Sequence, residues 1–250
     1  MKNIYPKSLN HGVLNVGDLP LPFDLVLNAS ALVVLITFVY LKISWKESII
    51  SSYEETFNDK QNFIGKLFGI ITLILLIAPG IIGNESAKTS IAPLMLWVFL
   101  WIGVPVLGLF FGDVYAKFNP LNLFSITSNK PKSVYSACIL FIGLTWFELV
   151  WKKPGDPFNI GIVIISLFFI VNLLRYFFKK SLIEVDPLLL LHYLYSKLNL
   201  FNSKPYFRSL LNNIGNLAKL KGIEYFVLLM IGTVTYDGLR ETTFWYEQFG

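Results

Sequence analysis

Five ionisable residues are predicted to share one side of a membrane and have the types needed for acid–base or metal chemistry. They are His11, Asp18, Asp24, Glu148 and Asp237. Two carboxylates with a histidine can bind a divalent cation or act as general acid and base. The alternative is that each carboxylate only caps a helix or lies among lipid headgroups. The five positions form a candidate outer-face polar site with both interpretations open.

Glu148 is the member of this set with the strongest physical case. It lies one turn inside the end of a predicted spanning helix, beside Trp146, Phe147 and Trp151. A carboxylate in such a partly dry region is costly unless it is paired, hydrogen-bonded or bound to a metal. We therefore expect Glu148 to have a polar partner, either in the N-terminal segment or around Asp237.

A second polar stretch follows the third predicted span and contains Asp113, Asn119 and Pro120. Asn-Pro initiates turns, so a structural turn motif on the cytoplasmic side is the favoured interpretation. Asp113 has helical spacing to Lys117, which allows an ion pair. His192 is isolated from other ligand types and is expected to be solvated or to face headgroups.

Motifs of soluble enzymes are missing from the sequence. It contains no Gly-rich phosphate loop, His-Glu-x-x-His, Cys-x-x-Cys or Gly-x-Ser-x-Gly. The net charge of +5 is spread over short loops, so a nucleic-acid partner is not expected. No cofactor or metal is specified by these residues.

The composition indicates that membrane-spanning helices hold these side chains. Of 250 residues, 54% are hydrophobic and 15% are charged, against roughly a quarter charged in soluble domains. A spanning helix needs about 20 mostly apolar residues. Six stretches approach this length, which predicts an all-α polytopic bundle forming a single transmembrane domain over 1–250. The predicted spans are 21–41, 67–83, 90–112, 133–151, 158–178 and 222–238.

A seventh helix is predicted over 185–201. Asp186 is a good N-cap and Pro187 suits the first helical position. His192 and Lys197 interrupt its apolar run too early for a span, so an interfacial helix lying along the membrane is expected. In the second and third spans, Pro79 and Pro105 each remove a backbone donor. Because the freed carbonyls need partners, both points are expected to face protein.

The distribution of basic residues predicts the orientation. If the six spans alternate, 15 of the 21 Lys and Arg residues lie on the side of the three long connections. The positive-inside rule then places those connections in the cytoplasm of a bacterial cell, with both termini outside the inner membrane. The first apolar segment lacks a preceding basic run and a cleavage signal, so it is expected to remain as a helix.

Three short stretches resemble a family of bacterial multi-pass membrane proteins that is often labelled fenitrothion hydrolase. They are His11-Gly12 with Asp18-Leu19-Pro20-Leu21-Pro22, Phe118-Asn119-Pro120-Leu121, and Tyr236-Asp237-Gly238 with Thr242, Thr243 and Trp245. The resemblance implies organophosphate hydrolysis, but the sequence offers no hydrolytic metal cluster like those of soluble phosphotriesterases.

Three functions remain after these considerations. The first choice is a membrane-embedded accessory or structural subunit, with the lipid bilayer and other proteins as partners. A small-solute or metal-handling permease would explain the helices with internal proline. A membrane hydrolase would use Glu148, Asp237 and His11 at the outer face.

Overall fold

A computed structural model describes residues 23–44, 61–83, 87–124, 126, 128–198, 220–240, 242, 245 and 248. Within these residues the regular structure is helical, apart from one isolated parallel bridge between Ser133 and Lys221. The helices are α1 (Phe23–Ser44), α2 (Phe63–Ile82), α3 (Ile91–Pro93), a π segment (Leu94–Gly103), α4 (Val104–Phe111), α5 (Tyr115–Phe118), α6 (Tyr135–Leu149), α7 (Pro157–Phe178), α8 (Leu182–Val185), α9 (Pro187–Ser196) and α10 (Ile223–Arg240).

Three helical stretches are long and apolar enough to cross a membrane. They are Phe63–Ile82, Ile91–Phe111 and Pro157–Phe178. They coincide with the second, third and fifth predicted spans. The described residues thus confirm the all-α class, and the three helices support a membrane protein. The other three predicted spans overlap α1, α6 and α10.

Helix α2 approaches its neighbours closely at three glycines. A Cβ at Gly69 would lie 2.7 Å from the Phe118 carbonyl oxygen, and one at Gly80 would lie 2.5 Å from that of Pro157. A Cβ at Gly65 would overlap the Lys117 carbonyl. Small residues allow backbones in a membrane bundle to pack at this distance. They bring α2 against the 117–120 turn and the start of α7.

Helix α9, which was predicted to lie along the membrane, is buried among other helices of the protein. It packs against α4, α5, α6 and α8, and Pro187–Tyr193 are buried. His192 is only 2% exposed, so the expectation of a solvated histidine was wrong. The physical reason is that Leu188–Leu191 and Tyr193 make the helix apolar on every side, which is typical of a buried helix.

The connections define two opposite ends of the bundle. At one end the Trp97 indole N–H donates to the Pro154 carbonyl at 3.0 Å, beside the end of α6 and the start of α7. At the other end the Val134 N–H donates to the Lys221 carbonyl at 2.9 Å, where α6 and α10 begin. Glu148 and Asp237 belong to the first end, because they lie near the C-termini of α6 and α10.

Candidate functional site

The predicted turn after α5 is part of a polar group inside the protein. Asn119 Oδ1 accepts the Leu121 N–H at 2.8 Å, and the Asn119 carbonyl accepts the Asn122 N–H at 3.2 Å. These bonds confirm the turn at Asn119 and Pro120. Asp113 Oδ1 accepts the Ala116 N–H at 3.1 Å and so supports the first turn of α5.

Asn119 also joins the turn to the start of α9. Its Nδ2 donates to Asp186 Oδ2 at 2.5 Å, and both residues are fully buried. Asp186 Oδ1 in turn accepts the N–H groups of Leu188 and Leu189, which confirms the predicted N-cap. The Asp186 carboxylate therefore both binds the turn after α5 and caps the N-terminus of α9.

Asp186 is more basic than an ordinary aspartate. Burial raises its pKa to about 6, against the lowering effects of the Asn119 hydrogen bond, the two backbone N–H groups and the nearby Arg175 guanidinium. Arg175 is itself fully buried, and its guanidinium donates to Asn122 Oδ1 at 2.9 Å. The protein thus holds the Asp186 carboxyl group and the Arg175 guanidinium cation within one buried region.

Tyr115 and His192 complete what we call the buried polar cluster, defined as Tyr115, Asn119, Arg175, Asp186 and His192. The Tyr115 and His192 rings stack at 4.3 Å with a 10° interplanar angle. Among the described residues the buried Tyr115 hydroxyl has no hydrogen-bond partner. Burial, together with the charges of Asp186 and Asp113, raises the pKa of Tyr115 well above its usual value.

His192 lies beside a carbonyl that Pro105 leaves without a backbone donor. The Val104 N–H bonds the Phe99 carbonyl, and Pro105 has no N–H to offer Leu100. His192 Nε2 lies 2.9 Å from the Leu100 carbonyl oxygen instead. The expectation that Pro105 faces protein is therefore confirmed, with Pro105 itself buried.

A separate cleft contains the two carboxylates singled out in the sequence. It has a volume of about 120 Å³ and lies between the π segment, α6, α9 and α10. We call it the carboxylate cleft and define it by Glu148 and Asp237 with the aromatic walls Trp101, Phe141 and Tyr195. The charge of Asp237 acts on Glu148, so two like charges share the space. The Arg240 guanidinium, bonded to the Leu149 carbonyl, lies at the same end.

The predicted outer-face set is only partly described. Glu148 and Asp237 are brought together, whereas Asp24 is in α1 with a side chain that is not described. His11 and Asp18 lie outside the described residues. Across the described ranges, no group of three or more His, Cys, Asp or Glu residues is arranged to hold a metal ion. The functional role of the set stays a prediction.

Comparisons with known protein families, with curated proteins and with solved structures found no match. The resemblance to the family labelled fenitrothion hydrolase therefore stays a prediction as well.

Sequence reasoning missed Arg175 and Tyr115 altogether. Arg175 stands near the end of α7, where a basic residue is typical of a helix terminus facing solvent. Its guanidinium bonds Asn122, which lies 53 residues earlier in the chain, so no local pattern indicates this contact. The available signal was the clustering of Asn119, Asn122 and Asp186 at chain turns that all meet at one end of the predicted bundle.

Proposed function

We propose that the chain is a multi-pass protein of the bacterial inner membrane that binds a small cation in the carboxylate cleft and passes it across the membrane. In this proposal six segments span the bilayer, both termini are outside, and the cleft opens to the outside. The three long apolar helices and the 15 to 6 division of basic residues support this topology.

The observation that carries the proposal is the shared position of Glu148 and Asp237. Two carboxylates that line one half-buried cleft repel each other and are stabilised by a cation placed between them. The rings of Trp101, Phe141 and Tyr195 line the same space, and aromatic faces attract ammonium ions. Together these groups favour a small organic ammonium ion.

Two features favour passage over fixed binding. The wall of the cleft that carries Trp101 belongs to an irregular helix, and irregular or broken helices line the substrate paths of many transporters. Helix α9 lines the cleft with Leu191 and Tyr195. The same helix carries His192 and is capped by Asp186, so two residues of the buried polar cluster lie on the helix that forms a wall of the cleft.

Calorimetric titration of the purified protein in lipid nanodiscs tests the binding. Tetramethylammonium is the first probe, and Mg²⁺ and Zn²⁺ are titrated in parallel to separate an organic cation from a metal ion. We expect saturable binding of tetramethylammonium and at least tenfold weaker binding in Glu148→Gln and Asp237→Asn. Flux of the same cation into proteoliposomes then tests passage.

Glu224→Gln is the matched control, because Glu224 is an exposed carboxylate in the first turn of α10, the helix that carries Asp237. Its binding should equal that of the unaltered protein. The proposal is overturned if no cation binds the unaltered protein, or if Glu224→Gln weakens binding as much as Glu148→Gln does.

A second candidate, a membrane-embedded subunit of a larger complex, is favoured by α1. Its described side chains, at positions 28, 29 and 31–39, are all exposed. Phe38 is 68% exposed and Val33 62%, and such a helix is covered in the membrane by lipid or by another protein. Purification in mild detergent followed by mass spectrometry should then find a stoichiometric protein partner. A stable, active monomer with no such partner argues against this candidate.

A further inference from the structure

The π segment next to the carboxylate cleft depends on a side chain from another helix. The Val104 N–H reaches back five residues to the Phe99 carbonyl, as in a π-helix. The Leu100 carbonyl then has neither of its two backbone donors, because Val104 is used and Pro105 has no N–H. His192 Nε2, 2.9 Å away, occupies this position.

A second register is available to the same backbone. If the Val104 N–H bonded to the Leu100 carbonyl, the bond would be the regular α-helical one and His192 would not be needed. The two registers therefore compete for one carbonyl oxygen. Exchange between them turns the helix by about one residue, which is about 100° around an α-helix axis.

Trp101 is the side chain that reports this rotation. Its ring stacks on Phe141 with centroids 5.9 Å apart and a 5° interplanar angle, and it lines the carboxylate cleft. Trp97, one turn earlier, contacts the Trp101 ring edge-on with centroids 5.7 Å apart, but it is also held by its bond to the Pro154 carbonyl and by its stacking on Phe147. A slip confined to the C-terminal half of the π segment would move Trp101 and leave Trp97 in place.

We propose that His192 is a latch: by donating to the Leu100 carbonyl it holds the π register and keeps Trp101 in the wall of the carboxylate cleft. His192 is thus a positioning residue for the cleft and reaches it through the backbone of the neighbouring helix. The latch does not depend on whether the cleft binds a cation.

The latch requires a proton on Nε2. Burial lowers the pKa of His192 to about 4, so the neutral ring has a single N–H at pH 7. Its Nδ1 faces the Leu188 carbonyl, which lies inside α9 and has the regular backbone donor four residues later. The Leu100 carbonyl has no such donor. The proton is therefore better placed on Nε2.

Fluorine NMR of the full chain labelled with 5-fluorotryptophan tests the latch, with Trp101→Phe and Trp97→Phe used for assignment. His192→Phe keeps the ring stacked on Tyr115 but removes the donor. We expect it to transfer most of the Trp101 signal to a new resonance and to shift the Trp97 signal, whose ring contacts Trp101, by much less. His192→Gln retains a side-chain N–H and should restore the original signal. Tyr115→Phe, which alters the stacked ring and no donor to Leu100, should leave Trp101 unchanged.

The latch is overturned if folded His192→Phe keeps the original Trp101 resonance, or if Trp97 shifts as much as Trp101. A measurement on the unaltered sequence decides the matter if His192→Phe does not fold. The chain has two histidines, so nitrogen NMR of labelled imidazoles, with His11→Gln for assignment, reads the His192 tautomer directly. A protonated Nε2 coupled to the Leu100 carbonyl carbon supports the latch, and an unprotonated Nε2 overturns it.

Discussion

Asn119 and Asp186 lie 67 residues apart in the sequence and meet in the interior through a single hydrogen bond from Asn119 Nδ2 to Asp186 Oδ2. The contact joins the turn after α5 to the first turn of α9. Because neither side chain is exposed, water cannot replace the bond if one partner is removed.

Asn119→Ala should therefore be strongly destabilising. It leaves Asp186 Oδ2 without its amide donor and the Leu121 N–H without its acceptor. At about 1–3 kcal/mol for each buried group, we expect a loss of several kcal/mol in the free energy of unfolding. Thermal unfolding in detergent measures it. Asn159→Ala, which removes one bond to the Lys153 carbonyl near the surface, should cost under about 1 kcal/mol.

The raised pKa of Asp186 predicts a specific pH dependence of stability. Its pKa is about 6 in the folded protein, against about 3.9 in an unfolded chain. The folded state therefore binds the proton more tightly, and the contribution of Asp186 to the free energy of unfolding falls as pH rises from about 4 to about 6. The total change is about 3 kcal/mol.

Subtracting the stability of Asp186→Asn isolates this effect, because the amide in that variant does not titrate and its hydrogen bonds are the same at every pH. The difference between the two proteins should decline over this window and stay flat from about pH 7 to 8. A difference that rises with pH across the window contradicts a raised pKa.

The sequence predicted the features that depend on local composition. Apolar runs located the helices to within a few residues, Asp186 and Pro187 located the start of α9, and the missing N–H of Pro105 predicted a protein contact there. Each of these follows from residues close together in the chain.

Features that join distant segments were not predictable in the same way. His192 was expected to be solvated or to face headgroups because no Cys, His or carboxylate stands three or four residues from it on the helix. Its partner, the Leu100 carbonyl, lies 92 residues earlier and is free only because of Pro105 and the π register. The pairing of Glu148 with Asp237 was anticipated as one of two options, but two of the three aromatic walls of their cleft come from further helical elements, the π segment and α9.

Gly69→Ala should destabilise the packing of α2. The added Cβ would lie 2.7 Å from the Phe118 carbonyl oxygen and 3.2 Å from that of Asn119, both of which are backbone atoms that cannot rotate away. We expect a cost of about 1–3 kcal/mol in unfolding measurements. Gly143→Ala is the control, since no atom of the described residues outside its own helix lies within 4 Å of its added Cβ and an alanine there favours the helix.

The proposed orientation of the chain predicts a pattern of cysteine labelling. In a Cys138→Ser background, single cysteines at Lys46 and Lys132 should react only after the inner membrane is made permeable, and a cysteine at Lys88 should react in intact cells. The reason is the concentration of basic residues on the side of Lys46 and Lys132. Labelling of positions 46 and 88 from the same side contradicts the six-span topology.

Glu148→Gln should stabilise the fold while it weakens cation binding. Glu148 and Asp237 are held in one cleft, so replacing one carboxylate by an amide removes a repulsion between like charges. Functional sites commonly retain such unfavourable arrangements, and relieving them typically raises the free energy of unfolding by about 0.5–2 kcal/mol.

Differential scanning fluorimetry without added cation should show a higher unfolding midpoint for Glu148→Gln than for the unaltered protein. Saturating tetramethylammonium should reverse the order, because only the unaltered protein gains binding energy. Glu148→Ala should also cost more assembly or activity than Asp18→Ala. If Glu148→Gln lowers the midpoint without cation, the carboxylate stabilises the fold, and the interpretation of the cleft as a cation site loses its electrostatic basis.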